Sequence, residues 1–249
     1  MRRRFMPRTI RGHKSALLLL LPLLGCSNAA PFATTVGVLR PGTTLSVNVA
    51  RATINAYQPA GGQPRDRFTV EATAAKGTTP AAPRLRATRT STVVDAADPL
   101  ATLLVRVPDG VELVVRSQQG DVNVTDISGN ASVTADKGNV RVFVRESYAQ
   151  ARTIDGNVSV AMGSTQWPGT LHFSAQHGDV EISVEETAAF RVHLQTGDGT
   201  LFTDFDLRGT SNGTGETIDG VVNGGGGRRA IDVRVERGSI RLLRLHAQA

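Results

Sequence analysis

From residue 108 onward, apolar and polar residues alternate in short bursts, each punctuated by a glycine. The clearest copies are Gly120-Asp-Val-Asn-Val124, Gly138-Asn-Val-Arg-Val142, Gly156-Asn-Val-Ser-Val160 and Gly178-Asp-Val-Glu-Ile182. Weaker copies follow at Gly199-Thr-Leu201, Gly220-Val-Val222 and Gly238-Ser-Ile-Arg-Leu242, and a half-period echo stands at Gly129-Asn-Ala-Ser-Val133. The glycine spacings are 18, 18, 22, 21, 21 and 18 residues. Two residues after the glycines stand Val122, Val140, Val158, Val180, Leu201, Val222 and Ile240. Five before them stand Val115, Val133, Ala151, Phe173, Leu194, Gly215 and Val233, and the intervening positions are mostly polar. This is the period-two signature of strands with one buried face.

Each unit of 18–22 residues then holds two short strands and two turns. The corner glycines Gly120, Gly138, Gly156, Gly178, Gly199, Gly220 and Gly238 permit a positive φ or a bulge where strands meet. No stretch shows a convincing helical period. One unit cannot bury its apolar face alone, whereas stacked copies bury a continuous column. The pattern predicts an all-β, β-helix-like β-solenoid, with seven rungs making a rod roughly 34 Å long. A two-sheet β-sandwich is the alternative, since it also has short, evenly spaced strands. The near-constant register of the inward positions favours the solenoid.

Upstream the pattern loosens. Residues 43–57 and 67–73 alternate like strands, with turn-rich composition between and after them. Residues 43–107 are expected to form irregular opening rungs or an N-terminal cap on the repetitive solenoid of 108–249. Residues 26–42 read as a small, polar, Pro-containing tether. At the far end, Ile240–Leu245 is expected to close the stack, with Arg241 and Arg244 protecting its exposed edge.

The first 25 residues change the picture of where the chain works. Six basic residues and no acid precede or accompany an apolar run from Ala16 to Leu24. That run is too short for a membrane span of about 20 residues and fits a secretory signal. It ends in Leu23-Leu24-Gly25-Cys26, and Cys26 is the only cysteine, so it can form no internal disulfide. These four residues resemble the lipobox of bacterial lipoproteins. The resemblance implies cleavage between Gly25 and Cys26 and acylation of Cys26. One acyl chain anchors marginally and two or more anchor durably. An ordinary cleaved signal with a chance cysteine is the competing reading. Ser27 follows the cysteine where a retention signal would carry Asp, which implies the outer membrane. Arg2-Arg3-Arg4-Phe5-Met6 loosely resembles a twin-arginine signal, although the leucine-rich run looks more like general secretion. Met6 is an alternative start.

Removing that segment also changes the charge. The whole chain carries 28 basic and 22 acidic residues, but beyond residue 25 the balance is 22 against 22. The net charge of +6 therefore belongs to the signal, and no basic stripe with interleaved aromatics remains to bind nucleic acid.

Candidate chemistry is sparse. His172 and His193 each lie six residues before a repeat glycine, so simple stacking predicts neighbours about 5 Å apart. They read as a solvated polar ladder rather than a metal site, since no third ligand is evident. Asp155, Asp198 and Asp219 precede a repeat glycine and Asp121 and Asp179 follow one; such residues are expected to cap their own turns. The tandem motif of calcium-binding β-rolls is absent. Residues 223–229, Asn-Gly-Gly-Gly-Gly-Arg-Arg, lack the Lys and helix of a phosphate loop and read as an excursion from one rung. Glu185-Glu186 and Asp204-Phe-Asp206 are the close acidic pairs, and surface turns account for them. No cofactor, metal or catalytic residue is expected.

Val107-Pro108-Asp109-Gly110-Val111, followed by the Gly-[Asp/Asn]-Val series, resembles a family of bacterial β-strand-repeat envelope domains labelled putative adhesins. The resemblance covers about residues 100–245. It implies an envelope protein of a family whose biochemical function is largely unassigned; with the lipobox-like segment, the expectation is a non-catalytic, lipid-tethered β-solenoid for binding or scaffolding, with envelope proteins or glycans as partners. The alternative is an enzyme acting on envelope or extracellular glycans, which would need acids converging in one groove.

Overall fold

The alternating runs become strands because aliphatic and β-branched residues at every second position put one apolar face on a pleated chain. A computed structural model describes residues 32–59, 65–74, 78–96, 100–207, 209–225 and 227–245. Among the described residues are 21 strands, numbered in chain order, and no helix. The first sheet has ten strands in the order β1 (Phe32–Val38), β4 (Arg67–Thr73), β7 (Thr102–Arg106), β3 (Thr53–Tyr57), β9 (Val122–Ile127), β11 (Val140–Val144), β13 (Val158–Met162), β15 (Val180–Glu185), β21 (Ile240–Leu245) and β17 (Leu201–Thr203). The second has eleven, in the order β18 (Gly209–Asn212), β19 (Gly215–Val222), β16 (Phe190–Asp198), β20 (Ala230–Arg237), β14 (Thr170–His177), β12 (Ala149–Asp155), β10 (Ala131–Lys137), β8 (Glu112–Gln119), β2 (Thr44–Arg51), β6 (Ser91–Ala96) and β5 (Arg84–Ala87).

The protein is a β-solenoid. Each rung is one strand of the second sheet followed, past a corner, by one of the first: β8 then β9, β10 then β11, β12 then β13. Parallel pairing sets the rungs in register. Val140 lies opposite Val122 and Val158, and Val133 opposite Val115 and Ala151. Both sheets contribute to one apolar core. Column sizes compensate: Phe173, fully buried, stacks between Ala151 and Val233.

The order of rungs departs from the order of the sequence at both ends. The last rung, β20 with β21, lies between β14/β15 and β16/β17. The early rung β2/β3 likewise lies between β6/β7 and β8/β9. Ile240–Leu245 therefore does not close the stack but runs inside the first sheet. Arg241 there faces Glu181 at 3.7 Å, and Arg244 lies 5.2 Å over the Phe205 ring. The ends are closed instead by antiparallel strands: β4 on β7, β1 on β4, β5 on β6, β19 on β16 and β18 on β19. The remaining sheet end is the three-residue β17. Short edges and reversed end strands limit growth by further parallel stacking. Strand β1 also corrects the expected tether, since Phe32–Val38 alternates and pairs along its whole length with β4.

One corner is the same in every regular rung. Gly120, Gly138, Gly156, Gly178, Gly238 and Gly199 have φ between 123° and 152°. They also stack: a Cβ on Gly138 would lie 2.3 Å from the Gly120 carbonyl oxygen, one on Gly156 2.1 Å from that of Gly138, and one on Gly178 2.0 Å from that of Gly156. Gly220 is corrected. It lies within β19 opposite Val192, without the positive φ of a corner, and the fold packs Leu207 against it. Gly215 likewise opens β19 and is no inward core position on a parallel rung.

Gly156→Ala should therefore cost about 3 kcal/mol or more, because it adds a backbone clash to an unfavourable φ. Gly224→Ala, at φ 78° with nothing within 4 Å, should cost only the conformational part, about 1 kcal/mol. Equal losses in chemical denaturation would contradict the stacked-glycine account.

Candidate functional site

The residue after each corner glycine does specific work. The Asn139 backbone N–H donates to Asp121 Oδ1 at 2.8 Å, the Asn157 N–H to Asn139 Oδ1 at 3.0 Å, and the Asp179 N–H to Asn157 Oδ1 at 2.8 Å. The Ser239 N–H then donates to Asp179 Oδ1 at 2.8 Å. The Asp and Asn side chains thus cap the neighbouring rung, not their own turn as expected for Asp121 and Asp179. Only a short side chain with an acceptor oxygen reaches, which explains the recurring Gly-[Asp/Asn] pair. The two acids in the ladder are separated by two neutral asparagines, which spares like-charge repulsion across adjacent rungs.

Just before the corner runs a charged row. Asp155 Oδ1 lies 2.7 Å from His177 Nδ1, and Arg237 Nη2 donates to His177 Nε2 at 2.7 Å. Arg237 in turn pairs in register with Asp198. Asp155 and Asp198 are therefore rungs of a cross-strand polar ladder.

His172 and His193 are not neighbours. The inserted β20 puts Asp232 between them, with His172 and His193 in register on either side. His172 Nδ1 lies 3.2 Å from Asp232 Oδ2, and His193 Nδ1 lies 2.7 Å from Asp219 Oδ1 on antiparallel β19. Among the described residues no three His, Cys, Asp or Glu side chains converge as metal ligands. The glycine-rich stretch is the turn from β19 into β20. Asn223 Nδ2 donates to the carbonyls of Glu186 and Ala188 at 2.8 and 2.9 Å, and Arg229 Nε to that of Ala189 at 3.2 Å. Its described glycines Gly224, Gly225 and Gly227 have positive φ in a connection that carries the chain from one side of β16 to the other. Asp204 Oδ2 accepts the Arg244 N–H at 3.3 Å, and Glu185 ends β15 opposite Leu245. Neither acidic pair lines the grooves described below. Gly25 and Cys26 lie outside the described residues.

The outer face of the second sheet carries the most extended surface feature. Four residues before each corner glycine, one outward side chain per rung forms a row: Arg116, Thr134, Arg152, Ser174, Arg234 and Gln195. Arginines occupy every second rung, about 10 Å apart at ordinary strand spacing. Arg152 Nε donates to Ser174 Oγ at 3.2 Å and Arg234 Nε to Asp232 Oδ1 at 3.1 Å, which orients both side chains along the face. A groove of about 720 Å³ follows this row, with Asp136, Gln176 and Glu236 on its far side. A second, of about 610 Å³, continues it past Arg116 to Asn48 and Asp95, sharing Thr134 and Asp136 with the first. The hydrogen bond from Asn48 Nδ2 lowers the Asp95 pKa below the usual carboxylate value against the opposing effect of burial, and Arg86 and Arg84 add to the lowering. The six residues of this row went unremarked in the sequence, although their common offset from glycine was present there.

A family model described as Toastrack DUF4097 matches residues 86–243, more than half of the chain. The chain belongs to the Toastrack DUF4097 family. The Toastrack match spans the regular rungs, nearly all of the inserted last rung and the whole of the arginine row. Solved structures similar to the chain include one described as a putative cell adhesion protein from Clostridium sporogenes. It is 9% identical, with 86% of this chain and 100% of that chain covered and a TM-score of 0.49. Another is described as a putative adhesin from Bacteroides fragilis, 10% identical, covering 87% and 98%, with a TM-score of 0.37. No curated protein matches the chain.

Asn157→Ala should remove one inter-rung acceptor from the Toastrack corner and cost about 1 kcal/mol. Thermal unfolding checks this, and an unchanged Tm would show that water replaces the bond fully.

Proposed function

We propose that this protein is a lipid-anchored, non-catalytic component of the outer membrane that binds extended acidic glycans along the second sheet. The observation that carries the reading is the alternation of arginine with small polar residues in one groove. Its repeat, about 10 Å, approximates the length of a disaccharide in an extended polysaccharide. Arginine forks suit carboxylate and phosphate groups, and Thr134, Ser174, Gln176 and Gln195 suit sugar hydroxyls. The adhesin names carried by structural relatives belong to those proteins; the support here is the groove and the lipobox-like Leu23-Leu24-Gly25-Cys26.

The enzyme alternative meets a geometric obstacle. The groove acids Asp136 and Glu236 sit on β10 and β20, three strand spacings apart, or about 14 Å. Paired carboxylates of glycoside hydrolases stand about 5–9.5 Å apart. Binding without cleavage fits that separation better.

Titration of the protein with polygalacturonate tests the binding reading. Arg116→Gln/Arg152→Gln/Arg234→Gln together should weaken affinity about tenfold, equivalent to about 1.4 kcal/mol, with a shallower salt dependence. Unchanged affinity would contradict the groove assignment, and release of shorter oligosaccharides would contradict the non-catalytic one. Separately, Cys26→Ser should abolish lipid labelling and release the protein from the membrane fraction. Persistent sedimentation with membranes, with no acyl chain on the wild type by mass spectrometry, would defeat the anchor.

A further inference from the structure

Strand β1 is built inside out. Its large apolar residues point to solvent, with Phe32 66%, Val36 50% and Val38 63% exposed. Its inward positions are the small residues Ala33, Thr35 and Gly37, and the Gly37 backbone lies so close to the Phe68 ring that a Cβ would come within 2.3 Å of it. This is an edge strand, where solvated proteins place charges rather than apolar side chains.

Arginines flank the same strand. Arg67 pairs in register with Val38, Arg40 follows two residues later, and Arg84 adjoins Pro83, whose carbonyl accepts the Thr35 hydroxyl at 3.4 Å. All three are exposed; Arg84 stands opposite Asp95 and acts on its carboxylate, whereas Arg40 and Arg67 are in no ion pair among the described residues. An exposed apolar strip beside unpaired arginines matches the boundary between acyl chains and anionic headgroups. The chain itself limits the distance. Only five residues separate Cys26 from Phe32, so the start of β1 cannot lie more than about 22 Å from the Cys26 backbone.

We propose that the outward face of β1 docks on the membrane interface into which the acyl chains of Cys26 insert, an inference that rests on the lipid-anchor reading. Phe32, Val36 and Val38 enter the interface, while headgroups and water satisfy the free backbone edge of β1. The anchored end of the stack is then fixed to the bilayer. The opposite end of the first sheet, at β17, lies nine strand spacings away, about 43 Å along the stack.

The full acylated protein, reconstituted in phosphatidylethanolamine/phosphatidylglycerol vesicles, provides the test. Acylation blocks the one native thiol, so Val36→Cys, Val38→Cys and, at the far end, Phe202→Cys each offer a single site for an environment-sensitive fluorophore. Labels at 36 and 38 should shift to the blue, be quenched by brominated acyl chains and be shielded from aqueous iodide; the label at 202 should show none of these. Vesicle-bound protein whose labels at 36 and 38 remain open to iodide and untouched by brominated lipid would overturn the docking while leaving the anchor intact. So would shielding that depends on protein concentration in detergent, which would assign the strip to a second copy of the chain. Failure to float with vesicles, with Cys26 itself reacting with the fluorophore, would overturn the anchor and this proposal with it.

Discussion

Backbone contact at the glycine corner is the constraint on which the rest depends. Parallel strands stack at about 4.8 Å, and at this corner the chain turns with a backbone conformation that L side chains rarely adopt. Gly120 packs against the Ala52 carbonyl, and each later glycine of the corner packs against the carbonyl of the glycine one rung away, leaving no room for a side chain. The contact fixes the height and phase of these regular rungs. Once they are fixed, the next residue can reach the neighbouring N–H, which selects Asp or Asn. The residues two and four further on then fall into the buried valine columns. Motif, register and core are consequences of one close approach.

That chain of consequences is why the regular rungs were legible in the sequence. Val140 and Val158 stand two residues after glycines 18 apart, and they pair in the sheet. The ends were less legible for a physical reason. Local alternation reports which face of a strand is buried, but not which strand lies beside it. Strand β20 alternates as β14 and β16 do, so nothing in its own pattern shows that it separates them. For this reason alternation alone cannot show that His172 and His193 are two strands apart, or that Ile240–Leu245 lies inside the first sheet. Gly220 copied the spacing of a corner while sitting in an antiparallel strand. The tether expectation failed at β1 because its outward apolar and inward small residues invert the usual pattern.

The arginine row shows both limits together. Arg116, Arg152 and Arg234 share one offset from their glycines, so their common face was readable. Their regular alternation appears only when the rung of Gly238 is placed between those of Gly178 and Gly199. The inserted rung therefore supplies the third arginine of the groove. Terminal rungs held between neighbours on both sides also resist fraying better than rungs with one free face, which suits a surface that must keep a fixed repeat along its length.

The inserted rung is the claim from which both the closed end and the arginine spacing follow, and disulfide trapping tests it most directly. The cysteine pair His172→Cys/Asp232→Cys joins adjacent strands about 4.8 Å apart and should oxidise readily in the folded protein. The pair His172→Cys/His193→Cys spans two strand spacings, about 10 Å, beyond the reach of a disulfide, and should stay reduced. Efficient oxidation of the second pair and not the first would mean that the rungs stack in sequence order.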